Sequence, residues 1–482
     1  MNHMADIGLM HLAHRAGFGL PLTSNFTKET YLKTLLEKAK EGQINEIKVI
    51  DDQAIRRFRQ LMDEQENNSD KVKFNRQIIL LSQKCQIALR LAWLREMVQS
   101  ENQLIEKMAL FWHNHFATSD KRNPIANEQL LDVLRQNALG NFGTLLRQVS
   151  KTSVMMRYLN NQQNTKKSPN ENFAREVMEL FTLGRDNGYT EQDIKEAARA
   201  FTGWKVNRRT GVFFEQKGQM DQGEKTIFGK TGNFSGDDVF DMLLENKQTA
   251  RHICEKIYRY FVNPLVDEKR VEDLSDLMYK NNYEILPVLE AVFTSDWFYD
   301  TKNVGSQIKS PIEMLAGLYR QLGHEEEDLS PILYYSRLLS QQLFDLPNVG
   351  GWPHHKDWID ASSLMLRLQI PSAIISAEQI DIAAKTDDDA TGGNEELEMM
   401  NEEVPFERLK RAAENRVKKA KLHIDEPMLE SIASEKDFTA SISERLLCVN
   451  LKSDVLQQIK SSEDQRLATL KRILSTPEYQ IC

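Results

Sequence analysis

Apolar positions recur every three to four residues along most of this chain, a spacing that predicts helices. Residues 27–42 place Tyr31, Leu32, Leu35 and Leu36 on one face, and Gly42 supplies a stop. The signal thins over 51–73, where Ile55, Phe58, Leu61 and Met62 carry the stripe. It strengthens over 75–100, which holds Ile78, Ile79, Leu81, Leu89, Leu91, Trp93, Leu94 and Met97. Further helices are expected over 105–117, 127–139 and 142–159, and the polar stretch 160–167 reads as a loop.

Capping residues sharpen these boundaries. Ser168, Pro169 and Glu171 read as an N-cap, a first helical residue and a capping-box partner, with Gly184 as the stop. Thr190 opens the next helix, and Asp193 is spaced to reach back to it. Ser310-Pro311-Ile312-Glu313 repeats the Ser-Pro-x-Glu pattern, and Ser330-Pro331 opens another helix. The pattern changes at Gly203. Residues 204–206 and 212–214 flank a turn and predict a hairpin, and 225–228 reads as a further short strand. Residues 345–359 form a loop rich in Pro, Gly and Trp. Residues 386–403 combine Asp387, Asp388, Asp389, Glu395, Glu396 and Glu398 with Gly392-Gly393, which predicts a mobile acidic loop. The expected fold class is mainly α: one large helical domain over 1–482, with a small β-containing insertion at 203–236.

Composition agrees with helices. The chain has only 22 Gly and 13 Pro in 482 residues, which argues against a turn-rich β fold. The net charge of −9 removes any general electrostatic reason to expect nucleic acid or an anionic membrane as partner. No apolar run reaches the ~20 residues that span a bilayer, so no membrane span is expected. The N-terminus lacks a basic segment followed by an apolar one, so the sequence as it stands reads as cytoplasmic, or as exported if a signal peptide was removed. Cys85, Cys254, Cys448 and Cys482 form no Cys-x-x-Cys pair and read as buried reduced thiols.

Three segments could carry chemistry. On the 169–183 helix, Phe173, Val177 and Leu180 make an apolar stripe, while Asn172, Arg175, Glu176 and Glu179 share a polar one. Two carboxylates, a guanidinium and an amide on one face could bind a metal or act as acid and base. An ordinary solvated face with an Arg–Glu pair is the competing account. In Phe111-Trp112-His113-Asn114-His115-Phe116, the two histidines lie about 200° apart around a helix, so they would not chelate one ion from it. A histidine among so many aromatic rings needs a polar partner. The loop Pro347-Asn348-Val349-Gly350-Gly351-Trp352-Pro353-His354-His355-Lys356-Asp357-Trp358 holds adjacent histidines, with Trp352 and Trp358 reading as clamps onto the helical body. The candidate catalytic residues are therefore His115, Arg175, Glu176 and Glu179. The candidate binding residues are His113, Asn172, Trp204 and Trp352. The sequence names neither a metal nor a cofactor. It has no P-loop, no dinucleotide fingerprint, no His-Glu-x-x-His and no Gly-x-Ser-x-Gly.

These segments together resemble the bacterial family called domain of unknown function 1800. The resemblance rests on residues 11–19 (His-Leu-Ala-His-Arg-Ala-Gly-Phe-Gly), 111–117, 170–184, 189–204, 221–226, 309–311, 347–358 and 475–479. It implies a mainly helical fold and, for many members, export and a sulfatase-like partner protein. Two positions depart from the family pattern. Phe181 and Met220 stand where many members have histidine. An enzyme with a His/Glu/Arg cleft, metal-assisted or not, is the leading expectation. A non-catalytic scaffold or accessory protein that binds a partner is the alternative.

Overall fold

The computed structural model describes residues 7–67, 71–207, 210–323, 328–376, 422–424, 426–433, 437–460 and 466–482. The acidic segment 386–403 lies outside them. Helices dominate, as the periodicity predicts. Thr27 caps Lys28–Glu41 through a capping box with Thr30, and Gly42 ends it at φ +64°. The long stripe becomes a helix over Lys71–Gln99, followed by Gln103–His115 and Pro124–Gln136. The 142–159 stretch is two helices, Phe142–Ser150 and Ser153–Tyr158, because Thr152 turns extended and caps the second.

Among the described residues, strands are confined to two hairpins. Trp204–Val206 pairs antiparallel with Phe213–Glu215, and Lys225–Ile227 with Lys230–Gly232. The fold is thus mainly α with a small β insertion. Among the described residues, no helix is long and apolar enough to cross a membrane.

Among the described residues, two large apolar clusters make up most of the core, with two small ones beside them. The Gln103–His115 helix feeds both. Leu104, Met108 and Trp112 enter the first, while Ala109 and Leu110 enter the second. A helix buried all round must satisfy its polar side chains internally. Glu106 does so with Arg135 and Trp93, and Lys107 with Glu313.

One expected cap is corrected. Ser168 does not open a helix. It forms a β-bridge with Thr165, and the helix begins at Asn172 with Glu171 in the N-cap position. Local asparagines outcompete the serine. Asn164 Oδ1 accepts from the Asn170 amide at 3.0 Å, and Asn170 Oδ1 accepts from the Asn172 amide at 3.0 Å. The helix then widens into a π-helix over Val177–Thr182, in which the Leu183 amide reaches the Met178 carbonyl at 2.9 Å. By contrast, Thr190–Asp193 and Ser310–Glu313 both form capping boxes. Ser310→Ala is therefore expected to destabilise by about 1 kcal/mol and Ser168→Ala by a few tenths at most, as urea melts of both variants would show.

Candidate functional site

The polar stripe of the Asn172–Glu176 helix and its π continuation stays together. Arg175 makes two bonds to Glu191, at 2.8 and 2.7 Å, and lies 3.3 Å from Glu171 and 3.7 Å from Glu179. Arg185 adds a 3.7 Å contact to Glu179. Loss of water and then the Glu179 charge raise the Glu176 carboxyl, with Arg175 and Arg185 pulling it back. The Arg175 guanidinium is held above its usual range by Glu191. This is a surface ion network. Asn172 is exposed at its edge and donates to the Leu159 carbonyl at 3.2 Å.

The other candidates lie elsewhere. Trp204 is fully buried among Phe173, Phe201, Phe213 and Phe240. Gly236 passes so close that a Cβ there would stand 2.5 Å from the indole, so Trp204 is packed core. His113 and Trp352 meet edge to face with ring centres 5.3 Å apart. His113 Nε2 accepts from the Phe344 amide at 2.9 Å, and burial pushes its pKa down to about 3.

His115 points the opposite way round the helix, as 200° of rotation requires. Its Nε2 lies 3.2 Å from the Phe181 carbonyl, and its Nδ1 lies 3.1 Å from Lys256 Nζ. A carbonyl only accepts, so Nε2 carries the proton and Nδ1 accepts from the amine. Burial, Lys256 and His252 hold this imidazole well below its ordinary pKa, so it is neutral. No contact joins it to Glu176 or Glu179. Its polar partner is a lysine that the sequence reading did not single out.

Lys256 belongs to the Lys247–Phe261 helix, where His252, Lys256 and Tyr260 fall at i, i+4 and i+8 and share a face. That spacing is a signal local sequence could have given. Lys256 Nζ donates to the Leu180 carbonyl at 3.0 Å, and His252 Nε2 shares that carbonyl at 3.3 Å. Both bonds land at the end of the π-helix, where carbonyls lack helical partners. Loss of water lowers Lys256 to about 8, against a pull upward from Glu255. Burial and then Lys256 lower His252 to about 4.

Tyr260 continues the seam to a second charged group. Its hydroxyl donates to Glu313 Oε1 at 3.1 Å, and Lys107 Nζ stands 2.5 Å from the same oxygen. Lys107 also donates to the carbonyls of His14 and Gly17 at 3.0 and 3.1 Å. Over the top lies the 347–358 loop. Asn114 clamps it, accepting from the Trp352 amide at 2.7 Å and bonding His354 Nε2 at 3.3 Å. Gly351 makes this clamp possible. It sits at φ +91°, and a Cβ there would fall 2.3 Å from Asn114 Oδ1. His354 is exposed, and the charges it senses are Lys256, Asp357 and Glu313. The seam therefore runs from buried His115 through Lys256 to the surface.

Among the described residues, no group of three or more His, Cys, Asp and Glu side chains is arranged to hold a metal ion. Both ring nitrogens of His115 are already engaged.

A mainly helical chain with a small β insertion and a buried basic seam is the class this structure defines. Residues 11–481 match a family model, and the chain belongs to that family, described as Protein of unknown function (DUF1800). Comparisons with curated proteins and with solved structures find no match. Segments 11–19, 111–117, 309–311 and 347–358, which supply or adjoin the residues of the seam, all lie within the matched span.

Proposed function

We propose that this chain is an enzyme that uses Lys256 as a general base in the seam. The observation that carries the reading is the surroundings of the amine. It bonds a neutral imidazole and a carbonyl, no carboxylate contacts it among the described residues, and burial holds it near 8. A lysine so placed is partly unprotonated near neutral pH and can take a proton from a bound substrate. His115 Nδ1 and the Leu180 carbonyl then receive hydrogen bonds from the new ammonium. His354 is the exposed side chain where the seam reaches the surface. This reading moves the site from the Arg175–Glu176–Glu179 stripe to the face that His115 shares with Lys256. The reaction class it supports is proton abstraction, and it routes no step through a metal.

The measurement is a titration. Mass spectrometry of protein reductively methylated across a pH series should show Lys256 half-reactive near pH 8, against about 10.5 for surface lysines. A midpoint above 10 would sink the reading.

A stability test runs alongside. The folded pKa is depressed, so between about 8 and 10.5 the unfolded chain holds more protons and wild-type stability rises with pH. Lys256→Met lacks that rise. The variant should therefore be the more stable protein at pH 7, with its advantage shrinking as pH climbs through that window.

The alternative, an accessory protein that binds a partner such as the sulfatase-like protein implied by resemblance, draws on a different observation. Val212 and Phe214 are exposed at the first hairpin, at 62% and 46%. An ordinary pKa for Lys256, together with loss of partner binding in Val212→Ser/Phe214→Ser, would favour it.

A further inference from the structure

Beneath Glu313 the seam ends in an excess of buried positive charge. Arg15, Lys107, Lys309 and Arg367 are each at most 3% exposed, and each has Glu313 as an ion-pair or electrostatic partner. Four buried cations thus share Glu313 as a partner, and gathering so many in a protein interior is expensive. The thiols of Cys448 and Cys482 also face Arg15 and Lys309, but burial pushes that of Cys448 up to about 12, so it supplies no charge at neutral pH.

Neutral oxygens hold these cations only in part. Arg15 donates to the Asn303 carbonyl and to Ser306 Oγ, both at 2.9 Å. Lys309 donates to the Tyr479 carbonyl at 2.9 Å. Arg367 donates through Nε to Gln480 Oε1 at 3.2 Å, and through Nη2 to the Lys309 carbonyl. Among the described residues, three of these side-chain donors find no partner: Arg15 Nε, Arg367 Nη1 and Gln480 Nε2. The last two are neighbours, because their side chains are bonded to each other. Arg15 approaches along the same backbone. Residues 306–309 run antiparallel to 480–482, with Gln307 and Cys482 exchanging amide bonds at 3.2 and 2.9 Å. Arg15 grips that segment at Ser306 and Arg367 grips it at Lys309. His355 overlies this end. Its charged neighbours include Arg15, and its Nδ1 is buried and unpartnered.

We propose that Arg367 and Gln480 form an oxyanion subsite, with Arg15 adding positive charge from the Ser306 end of the same strand, and that it takes the carboxylate, phosphate or sulfate group of a substrate whose reacting end lies at Lys256. The three groups share the needed chemistry, terminal oxygens that accept from a guanidinium and an amide at once. The inference rests on the reading of Lys256 as the base, but its test does not depend on Lys256.

The test is isothermal titration of the full-length protein with sodium phosphate, sodium sulfate and sodium acetate in separate runs, at ionic strength held constant with chloride. Saturable binding of at least one anion is expected, and the preferred arm names the group. Arg367→Met should weaken that binding by about tenfold or more. Lys256→Met should leave it within about twofold. Gln480→Glu keeps an acceptor for Arg367 Nε and places a carboxylate where the anion would sit. It should raise the melting temperature in anion-free buffer and abolish the titration, so the proposal stays testable if Arg367→Met fails to fold. No saturable binding by the wild type, or undiminished binding by Gln480→Glu, overturns the subsite. The two readings fail separately. Anion binding beside an ordinary Lys256 titration rejects only the base, and a Lys256 midpoint near 8 without anion binding rejects only the subsite.

Discussion

Glu313→Gln is expected to destabilise the protein by about 3–5 kcal/mol, the usual result of removing one partner from a buried ion pair. The substitution keeps the size of the side chain and most of its hydrogen bonds. What it removes is the charge facing Lys107, with Arg15, Lys309 and Arg367 close behind. The effect should also have a pH signature. Burial alone would raise the Glu313 carboxyl, but Lys107 and the Ser310 amide outweigh it and hold it at about 2, below its ordinary 4.5. A depressed folded pKa gives stability that is complete above about 4.5 and is lost as pH falls towards 2. Urea denaturation across pH 7 to 2.5 should show wild type and variant converging in acid. Equal stability at pH 7 would mean that the Glu313 charge does not hold the seam. Lys107→Met in the Glu313→Gln background should restore part of the loss, since the two charges are coupled.

A second pair is as consequential for the fold. Arg135 binds Glu106 through three contacts, Nε at 3.1 and 3.0 Å and Nη2 at 2.7 Å, while Trp93 Nε1 donates to the same carboxylate at 3.0 Å. Glu106 is 0% exposed and Arg135 2%, so neither charge can turn to water. Glu106→Ala should cost about 3–5 kcal/mol, because it leaves the buried guanidinium only Glu96, at 3.4 Å, as a carboxylate partner. Replacing both with Met should recover much of that, since an apolar pair avoids the desolvation penalty altogether. Chemical melts of the single and double variants decide it. A double variant no better than Glu106→Ala would show that the ions contribute more than they cost.

Local sequence spoke well for helices and for some caps, and for a physical reason. Thr190–Asp193 and Ser310–Glu313 each close within four residues, so nothing distant is needed to judge them. Ser168 carried the same Ser-Pro-x-Glu signature as Ser310 and behaved differently. Asn164 and Asn170 offered its backbone a competing set of bonds. The opposed faces of His113 and His115 followed from helix geometry alone. The partner of His115 did not, because Lys256 lies 141 positions away. The seam joins Arg15, Lys107, Lys256, Glu313 and His354, which no local period relates. The Arg175–Glu179 stripe drew notice because its charges sit close in sequence, and such stripes are most often solvated faces.

The π turn at Val177–Thr182 makes this site depend on chain length as well as on residue identity. Its wider loop sets the direction in which the Leu180 and Phe181 carbonyls leave the helix, towards Lys256, His252 and His115. Removing one residue from that stretch would let an ordinary α-helical repeat close over the wide turn, and the Leu180 and Phe181 carbonyls would then be drawn into the helix instead of being aimed at the seam. The exposed Arg–Glu face would tolerate exchange of nearly any side chain, yet the backbone beneath it would not tolerate being one residue shorter.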